Sequence, residues 1–524
     1  MKQIFNKIDK PVFLLPAILM TFVVIIGFAA PDLFSSVANA AMAFMLDKFS
    51  WFYALGTFLL LAFCFWAGFS KYGNIKLGGK DAEPEMSLFK WFAIAVTSGI
   101  AIGIVFYGIA EPITNFATPP GFLGIEGQSV EAAEKAVPFT FFHWSLHTYG
   151  VYTSVGLCCA FIIWNAKRKF QVSSSLYPLI GDKADGIWGK IINGVAVFGI
   201  VGGIGTSMGI GVLQLSNGIN YVFGTNFSMT TLAIFVIGTM AIIYIAAACT
   251  GLHKGVAMVS SLNMYVYIIM MVWTVLFGGT MFILNNTVSS IGSYLGMVIP
   301  QSFYLEPAMQ TGWVQNNSIF YWAWWISFAP IVGLFLIKLA KGRTIRQFVI
   351  VNLLAPSLFG FLWFGIFGSS AIRAELLANG NAGIIKDIAE HGIPVAMFAF
   401  FKTLPMRPIL NVLGFAATIF SFVTMAESMT LTIADMTCKD DKSPNVLKAF
   451  WGILMGLVAF IMLENGGLDA LQTSVIVCAL PLLVMILFMV VAYIKSMRCR
   501  SQYDQTLTEE ERRELEEEEK AQRD

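Results

Sequence analysis

From Ile191 to His253 the chain contains no Asp, Glu, Lys or Arg, and only Lys254 and Glu306 break this pattern before Ile337. A water-exposed surface cannot be built from such a stretch, because soluble domains carry about a quarter of their residues as charged side chains. Across the 524 residues, 57% are hydrophobic and 12% are charged. One larger soluble core cannot hold this apolar excess. The sequence therefore predicts a polytopic membrane protein, and it excludes a cytosolic enzyme, a nucleic-acid-binding protein and a secreted disulfide scaffold.

Runs of about 20 apolar residues have the length of a membrane-spanning helix. We predict twelve such spans, which makes the chain an all-α membrane protein. The spans lie near residues 12–30, 50–70, 88–108, 138–164, 191–220, 230–250, 256–284, 317–339, 347–371, 408–432, 446–463 and 470–494. Short amphipathic or re-entrant segments are predicted near 286–300 and 394–405.

The distribution of basic residues predicts the orientation. With the N-terminus inside, 27 of the 33 Lys and Arg residues lie inside or at the inner edge, and 6 lie outside. Cytoplasmic loops of membrane proteins carry such an excess of positive charge, so both termini are predicted to be cytoplasmic. Residues 1–500 then form the membrane domain, and 501–524 form a charged, mostly acidic tail. The tail is typical of a solvated helix or a disordered arm, and a solubilising role is favoured over a regulatory one.

Two predicted spans contain potential helix breaks at matching positions. The third span carries Ser98–Gly103, and the eighth carries Ser327–Gly333 with Pro330 inside it. Broken helices in corresponding halves indicate the binding site of a transporter with inverted repeats. The predicted repeats are spans 3–7 (88–284) and spans 8–12 (317–494), with the two spans of 12–70 at the periphery. The alternative is that these residues are packing glycines and an ordinary proline kink.

The fifth span is also rich in glycine. Gly205 and Gly209 are four residues apart, a spacing that lets two membrane helices approach closely. A phosphate-binding loop is excluded, because the stretch is uncharged and lacks the ending that such loops require. We therefore predict that these glycines serve helix packing.

Aromatic residues concentrate in the fourth and eighth spans. A belt at the membrane interface would explain them, but in the eighth span Pro330 and an apolar run follow, which indicates greater depth. Several π-faces around an apolar cavity suit a quaternary ammonium group, which has no N–H to donate. His143 and His147 are predicted to be hydrogen-bonded packing residues rather than metal ligands, because no metalloprotease-type motif accompanies them. The aromatic residues are Trp144, Tyr149, Tyr152, Trp324, Trp325 and Phe328, which we call the aromatic box.

Four segments resemble the betaine/choline/carnitine transporter family. The longest runs from Ile319 to Phe348 and includes the sequence FYWAWWISFAPIVG. The others are Phe106–Pro112 (FYGIAEP), Phe142–His147 (FHWSLH) and Thr206–Gly211 (TSMGIG). Together with the twelve predicted spans, the resemblance extends over nearly the whole chain.

The resemblance implies a leucine-transporter-like fold with a five-plus-five inverted-repeat core. It also implies a homotrimer in the plasma membrane that moves trimethylammonium compounds by alternating access. The family's substrate site carries over onto the aromatic box, where Tyr149 and Phe328 replace frequent tryptophans. It also carries over onto the glycine stretch of the third span, at Gly99, Ala101 and Gly103, where Ala101 replaces a frequent glycine.

The sequence departs from the family at the positions of coupling ions. One sodium site of sodium-coupled members uses hydroxyl groups of the fifth span, where this chain has Ile200 and Ile204. The other uses carbonyl groups near Gly99 and Ile100 and two hydroxyl groups of the tenth span. These last match Thr424 and Met425, and a thioether is a poor sodium ligand.

Three coupling modes remain open: one weakened sodium site, coupling to protons, or exchange of substrates without a cation. Sodium-independent exchangers of the family carry an arginine where this chain has Asn263. Glu427 is an ionisable group at membrane depth, which makes it a coupling candidate, although it could equally be a paired structural carboxylate. Glu111 is expected near the outer mouth, where it either attracts a cation or is solvated. No cofactor is predicted beyond Na⁺ or H⁺ as a coupling ion.

Two other classes of function are disfavoured. A membrane-embedded enzyme would need paired carboxylates, a nucleophile–base pair or a metal cluster within the spans, and none is seen in the sequence. A passive channel would show a selectivity ring of polar or charged residues. The favoured function is therefore a secondary transporter of a quaternary ammonium compound.

Overall fold

Apolar runs fold as helices in this chain because lipid offers no hydrogen-bond partners, and a helix satisfies its own backbone N–H and C=O groups. The structure is a computed structural model that describes residues 7–98, 102–251, 253–439 and 442–521. The described residues form helices, turns and two isolated bridges, without a β-strand. Twelve of the helices are long and apolar enough to cross a membrane. The prediction of an all-α polytopic membrane protein is confirmed.

We number the helices of ten or more residues in chain order. The first eight are α1 (Lys10–Ala29), α2 (Pro31–Phe69), α3 (Leu88–Ser98), α4 (Ile102–Ala117), α5 (Val130–Trp144), α6 (Leu146–Trp164), α7 (Ile187–Phe223) and α8 (Met229–Thr250). The others are α9 (His253–Phe277), α10 (Thr280–Phe303), α11 (Ser318–Lys338), α12 (Ile345–Leu377), α13 (Arg407–Met436), α14 (Asn445–Glu464), α15 (Gly467–Arg498) and α16 (Glu509–Ala521).

Shorter helices lie between the long ones. They are Lys71–Asn74, Gly121–Leu123, Val172–Leu176, Tyr177–Ile180, Gly181–Asp185, Trp313–Asn316, Ile384–His391, Ile393–Val395, Ala396–Phe401 and Arg500–Tyr503. The last two before α13 coincide with the short segment that the sequence predicts near 394–405.

The set of twelve long helices differs from the predicted set at two places. The predicted third span consists of α3 and α4, of 11 and 16 residues, on either side of residues 99–101, which lie outside the described part of the chain. The short segment predicted near 286–300 is instead α10, a helix of 24 residues. The prediction was too short because it stopped at the polar residues Asn285 and Asn286, which the helix accommodates in its interior.

The predicted break in the eighth span is wrong. Helix α11 is continuous from Ser318 to Lys338, with Pro330 inside it. A proline removes only one backbone hydrogen bond, and neighbouring helices can stabilise the resulting kink. A break that the sequence does not signal lies in the fourth span, where Ser145 leaves the helical conformation (φ −129°, ψ −117°) between α5 and α6.

The centre of the molecule is formed by α6, α7, α11 and α15, where α11 and α15 pack against each other and each packs against both α6 and α7. The glycines of α7 permit this close packing, as predicted. A Cβ atom at Gly209 would lie 2.3 Å from Cδ2 of Leu471, and one at Gly205 would lie 2.9 Å from Cγ1 of Val458. Larger residues at these two positions would push α7 away from α15 and α14.

Loops that the sequence predicts to be cytoplasmic meet at one end of the helix bundle. The backbone N–H of Leu77 donates to the carbonyl oxygen of Arg343 (2.9 Å), and that of Gly342 donates to Leu77 (2.8 Å). Two more segments that the sequence predicts to be cytoplasmic also meet: the N–H of Asp9 donates to the carbonyl oxygen of Thr437 (3.0 Å). Each of these hydrogen bonds places the two segments that it joins on the same side of the bundle.

The beginning of the tail is not solvated, contrary to the prediction. Asp504 is fully buried, and its carboxylate accepts hydrogen bonds from Nε of Arg500 (2.8 Å) and Nδ2 of Asn165 (3.3 Å). The backbone N–H of Gln505 donates to the carbonyl oxygen of Asn165 (2.9 Å). Only α16 beyond it has the charged, exposed character that the sequence predicts, and Lys80 forms a salt bridge with Glu511 of that helix.

Candidate functional site

All six residues of the aromatic box line one cavity of about 330 Å³, whose lining comes from α3, α4, α5, α6, α7, α9, α11 and α13. Trp144 ends α5, Tyr149 and Tyr152 lie on the first turns of α6, and the other three lie on one turn of α11. The helix break at Ser145 turns the chain between Trp144 and the two tyrosines, so that all three side chains reach the cavity. The structure thus brings the predicted residues together, while their binding of a substrate stays a prediction.

The rings of the box are held in fixed orientations. Trp324 and Trp325 are stacked, with centroids 5.0 Å apart and an angle of 10° between planes. Trp144 meets Trp325 edge-on at 4.7 Å, and Tyr152 does so at 6.4 Å. T-shaped and stacked pairs of this kind are favoured arrangements of aromatic rings.

Each indole N–H of the box has its own hydrogen-bond acceptor. Nε1 of Trp324 donates to Oγ of Ser207 (3.0 Å), and Nε1 of Trp325 donates to the carbonyl oxygen of His143 (3.0 Å). Nε1 of Trp144 donates to Oε2 of Glu111 (2.6 Å). Because the polar edges are satisfied by protein, the rings meet the cavity with their apolar surfaces.

Gly103 allows the box to close around the cavity. A Cβ atom at this position would lie 2.7 Å from Cη2 of Trp324 and 3.0 Å from Cη2 of Trp144. An indole ring is rigid, so neither tryptophan could relieve this contact by rotating only the end of its side chain. The other predicted residues of the glycine stretch, Gly99 and Ala101, lie outside the described residues.

The rest of the lining is apolar or carries hydroxyl groups. Ser207 of α7 and Thr148 of α6 lie beside the box, and a row of side chains from α13 continues away from it. That row consists of Ser421, Thr424, Met425, Ser428, Met429 and Thr432. The cavity therefore extends from the box along α13 toward its C-terminal end, which is the end where the predicted cytoplasmic loops meet.

The predicted ion-coupling residues have different surroundings. Thr424 lines the cavity, but its hydroxyl donates to the backbone carbonyl of Phe420 (2.8 Å). Asn263 is buried, and its Nδ2 donates to the hydroxyl groups of Ser421 (3.0 Å) and Tyr267 (3.2 Å). Ile100 lies outside the described residues. The buried side chains of Ile200 and Ile204 add no oxygen to the fifth span.

Glu427 does not belong to the described lining of the cavity, although its neighbours Met425 and Ser428 do. It is buried, and Oγ of Ser428 donates to its carboxylate (3.3 Å). Its role in coupling stays a prediction.

Glu111 is not at a solvated mouth, contrary to the prediction. Its side chain is 7% exposed, and Oε1 lies 2.6 Å from Nδ1 of His143. This pair could not be predicted from the sequence, because 32 positions separate the two residues and only the packing of α4 against α5 brings them together. His143 and His147 are both hydrogen-bonded, as predicted, with Nε2 atoms near Oγ of Ser318 (2.8 Å) and Ser302 (2.7 Å).

Comparison with known proteins identifies close similarities over almost the full length of the chain. A family model described as "BCCT, betaine/carnitine/choline family transporter" matches residues 11–502. The glycine betaine transporter OpuD of Bacillus subtilis (strain 168) is 37% identical over 477 residues, which cover 90% of this chain and 91% of that protein.

Two further relatives are named for other substrates. The ectoine/hydroxyectoine transporter of Virgibacillus pantothenticus is 35% identical over 489 residues, covering 93% of this chain and 96% of the relative. The high-affinity choline transport protein of Escherichia coli (strain K12) is 32% identical over 461 residues, covering 86% of this chain and 66% of the relative. The similarity therefore includes the helices that form the box.

Proposed function

Because this chain belongs to the betaine/carnitine/choline transporter family, we propose that it carries a quaternary ammonium solute across the plasma membrane. The solute is of the glycine betaine, choline or carnitine class. The chain is a multi-pass membrane transporter and not an enzyme, so the solute leaves the protein chemically unchanged. The observation that carries the proposal is the aromatic box, whose rings surround one cavity with no charged side chain in its described lining.

The box has the chemistry that a methylated ammonium group requires. A desolvated cation over an aromatic face gains about 1–2 kcal/mol for each good face. Three or four faces therefore offset much of the hydration that the cation loses on entering. Since Trp144, Trp324 and Trp325 have their N–H groups bonded to protein, their rings need no rearrangement before the cation binds.

Hydroxyl groups beside the box suit the other end of such a solute. Thr148 and Ser260 line the same cavity as the rings. The O–H of Ser260 can donate to the carboxylate of glycine betaine or carnitine. The O–H of Thr148 donates to the carbonyl oxygen of His143 (2.6 Å), so its oxygen can accept the hydroxyl of choline. A site that binds a zwitterion through aromatic faces and neutral donors adds no net charge of its own to the membrane interior.

We propose alternating access by a five-plus-five inverted-repeat core, with the halves 88–284 and 317–494. Each half places a cluster of short helices after its second span, at 172–185 and at 384–401. The cavity extends from the box toward one end of the bundle only, while Tyr107 and Tyr321 pack against the box on the other side, 5.5 Å apart. Rocking of the halves would close the open side and open the closed one.

The proposed topology has twelve crossings with both termini in the cytoplasm. The loop of Leu77 and the loop of Arg343 are hydrogen-bonded to each other and so lie on one side. The number of crossings between them must therefore be even. It is six if α3 and α4 count as one span and α10 does not cross, and it would be seven if α10 crossed.

Sodium coupling with two ions is not expected for this transporter. Sodium needs several oxygen ligands, whereas Ile200 and Ile204 are buried hydrocarbon side chains and Met425 offers a thioether. The exchange of substrate for product without a cation is the alternative mode of transport for the same site. Assembly as a homotrimer is proposed from the family resemblance, and native mass spectrometry of the purified protein measures it.

The function is tested by transport in proteoliposomes that contain the purified full chain. Labelled glycine betaine, choline, carnitine and ectoine are offered separately, with sodium, proton or counter-substrate gradients imposed one at a time. Saturable uptake that is accelerated by substrate on the opposite side indicates a carrier, because a channel shows no such acceleration. Absence of uptake and counterflow for all four solutes would overturn the proposal.

A further inference from the structure

An acid–base pair lies buried directly beside the aromatic box. The side chain of Glu111 is 7% exposed and that of His143 is 1% exposed. The two carboxylate oxygens have separate partners: Oε1 lies 2.6 Å from Nδ1 of His143, and Oε2 accepts the N–H of Trp144 at 2.6 Å. Nε2 of His143 lies 2.8 Å from Oγ of Ser318. One carboxylate thus joins a titratable histidine to a ring of the box.

The pair is enclosed by rings on the side of the box away from the cavity's open end. Tyr321 of α11 stacks on His143 at 4.5 Å, and the ring of Trp313 lies 5.8 Å away. The titratable groups that face the pair are Tyr107 on α4, Tyr321 on α11 and His147 on α6. His147 is itself bonded to Ser302 of α10, and Tyr107 faces Gln472 of α15.

Charge balance ties one proton to this enclosed state. With one proton shared between them, Glu111 and His143 have no net charge, whether the form is carboxylate–imidazolium or carboxylic acid–imidazole. Loss of that proton leaves a buried negative charge without a cationic partner on the other residue, which is costly in a low-dielectric environment. One proton shared by the pair is therefore the arrangement that leaves no uncompensated charge in this enclosed place.

The pair is also linked to the substrate site through Trp144. This side chain donates to Glu111 with its N–H and forms a wall of the box with its ring, 4.7 Å from Trp325. A solute that fixes the Trp144 ring also fixes the hydrogen bond from its N–H to the carboxylate of Glu111. Conversely, a change in the charge of Glu111 alters the hydrogen bond that orients the ring.

We propose that Glu111 and His143 together form the binding site for a proton that is transported with the solute. The inference rests on the proposed function, since it needs a solute in the box. It supplies a driving ion for a chain in which Ile200, Ile204 and Met425 occupy positions that would otherwise provide sodium ligands. Proton binding and solute binding are thermodynamically reciprocal, so each strengthens the other by the same factor.

The proton is measured directly in proteoliposomes of the full chain that contain a trapped pH-sensitive dye. A gradient of about one pH unit, without sodium, drives accumulation of labelled glycine betaine up to about tenfold for one proton per solute. Addition of unlabelled glycine betaine without an imposed gradient moves protons in the direction of the solute. Both signals are expected from the unmodified protein.

Glu111→Gln is the decisive variant. Its amide oxygen can still accept the N–H of Trp144, while the group no longer titrates. We expect proton movement and gradient-driven accumulation to fall by about tenfold or more, whereas counterflow, which needs no net proton transfer, remains measurable. His143→Gln is expected to give the same separation of the two signals. Tryptophan fluorescence on addition of glycine betaine measures whether each variant still binds.

Glu427→Gln tests the other buried carboxylate, which the sequence analysis names as a coupling candidate. It should keep the proton signal. Counterflow without proton movement in the unmodified protein overturns the inference and leaves the proposed function intact. Loss of the proton signal in Glu427→Gln but not in Glu111→Gln overturns it as well. No binding and no counterflow by the unmodified protein indicates failure of the proposed function instead.

Discussion

Trp325 is the residue on which the aromatic box depends most. It stacks on Trp324, meets Trp144 and Tyr152 edge-on, and donates its N–H to the carbonyl oxygen of His143. It is only 6% exposed, although it faces the cavity. The ring is therefore fixed before a ligand arrives, and a ligand loses little free energy in ordering it.

Two replacements of Trp325 distinguish the contribution of its aromatic face from that of its volume. We expect Trp325→Leu to abolish uptake of labelled glycine betaine in proteoliposomes, because the loss of an aromatic face is worth about 1–2 kcal/mol and the neighbouring rings also lose their contacts. Trp325→Phe should retain part of the affinity. Trp51→Leu, at an exposed tryptophan outside the box, is the control, and undiminished saturable uptake by Trp325→Leu would contradict the role of the box.

Gly103 provides a second prediction at the level of a single residue. An added methyl group would lie 2.7 Å from Trp324 and 3.0 Å from Trp144, so Gly103→Ala must push one of the rings into the cavity or away from it. We expect an apparent affinity for glycine betaine weaker by about tenfold, which corresponds to about 1.4 kcal/mol. Substrate titration of uptake measures it. Gly238→Ala, where nothing lies within 4 Å of the added atom, should leave the affinity unchanged.

The six aromatic residues could be found from the sequence, whereas the Glu111–His143 pair could not. Three tryptophans within four residues of one span favour a position deeper than an interfacial belt, while the assignment of the box as a substrate site depends on the family resemblance. The burial of Glu111 depends on how α4 packs against α5. The helix break at Ser145 likewise has no glycine or proline to signal it, and it decides that Trp144 and Tyr149 face one cavity.

At the level of elements, an ion pair connects the short helices that follow α12 to the end of α7. Asp387 accepts hydrogen bonds from Nζ of Lys402 (2.6 Å) and from the hydroxyl of Tyr221. Burial raises the pKa of the Asp387 carboxyl, but the two hydrogen bonds, together with the nearby charges of Lys402 and His391, outweigh burial and leave the pKa below its ordinary value. The charged form of Asp387 thus stabilises the folded protein.

The pH dependence of this contribution has a definite sign. Because the folded pKa is lower than the unfolded one, the stabilisation is complete above the unfolded value of about 4 and is lost as the pH falls through the folded value. We expect Asp387→Asn to lower stability by about 1 kcal/mol near neutral pH. The difference in unfolding temperature between the variant and the unmodified protein in detergent should shrink below about pH 4. An equal difference at pH 7 and pH 3 would contradict this account.

Helix α11 illustrates what a sequence pattern leaves undecided about an element. Pro330 and Gly333 predict an interruption, yet the helix is continuous from Ser318 to Lys338. Proline marks a position that lacks one N–H, but its neighbours decide whether the chain bends or unwinds there. The positions of the spans depend on the lengths of the apolar runs, which can be read directly from the sequence. Continuity is set by packing, for which Gly156 and Val155 of α6 lie against Gly333.

At the level of the whole molecule, the family resemblance implies sodium-ligand positions that lack oxygen in this chain, and this limits how we expect transport to be driven. Two bound sodium ions would give uptake that rises steeply with sodium concentration, with a Hill coefficient of about two. We expect no such steep dependence, because hydrocarbon side chains replace hydroxyl groups at Ile200 and Ile204. The dependence of the initial uptake rate on sodium concentration is measured at constant ionic strength, with potassium salts replacing sodium salts and no choline added to the buffer. A Hill coefficient of about two would require a second sodium site elsewhere.

The topology of the whole chain depends on helix α10, which has the length and apolarity of a membrane span. Two features argue that it turns aside instead of crossing. Only Gly278 and Gly279 separate it from α9, with Gly279 at φ +97°, yet α10 packs mainly against α5 and α12 and very little against α9. Two antiparallel spans joined by two residues would contact each other along their length.

Reporter fusions on either side of α11 distinguish the two topologies. If α10 does not cross, a reporter inserted at Met309 lies outside and one at Lys341 lies in the cytoplasm, where the basic residues of that loop are favoured. If α10 crosses, both reporters change sides, because every later segment is inverted. We expect alkaline phosphatase to be active at Met309 and a cytoplasmic fluorescent reporter to be active at Lys341. A reporter at Gly181, before α10, is cytoplasmic in both topologies and controls for expression and insertion.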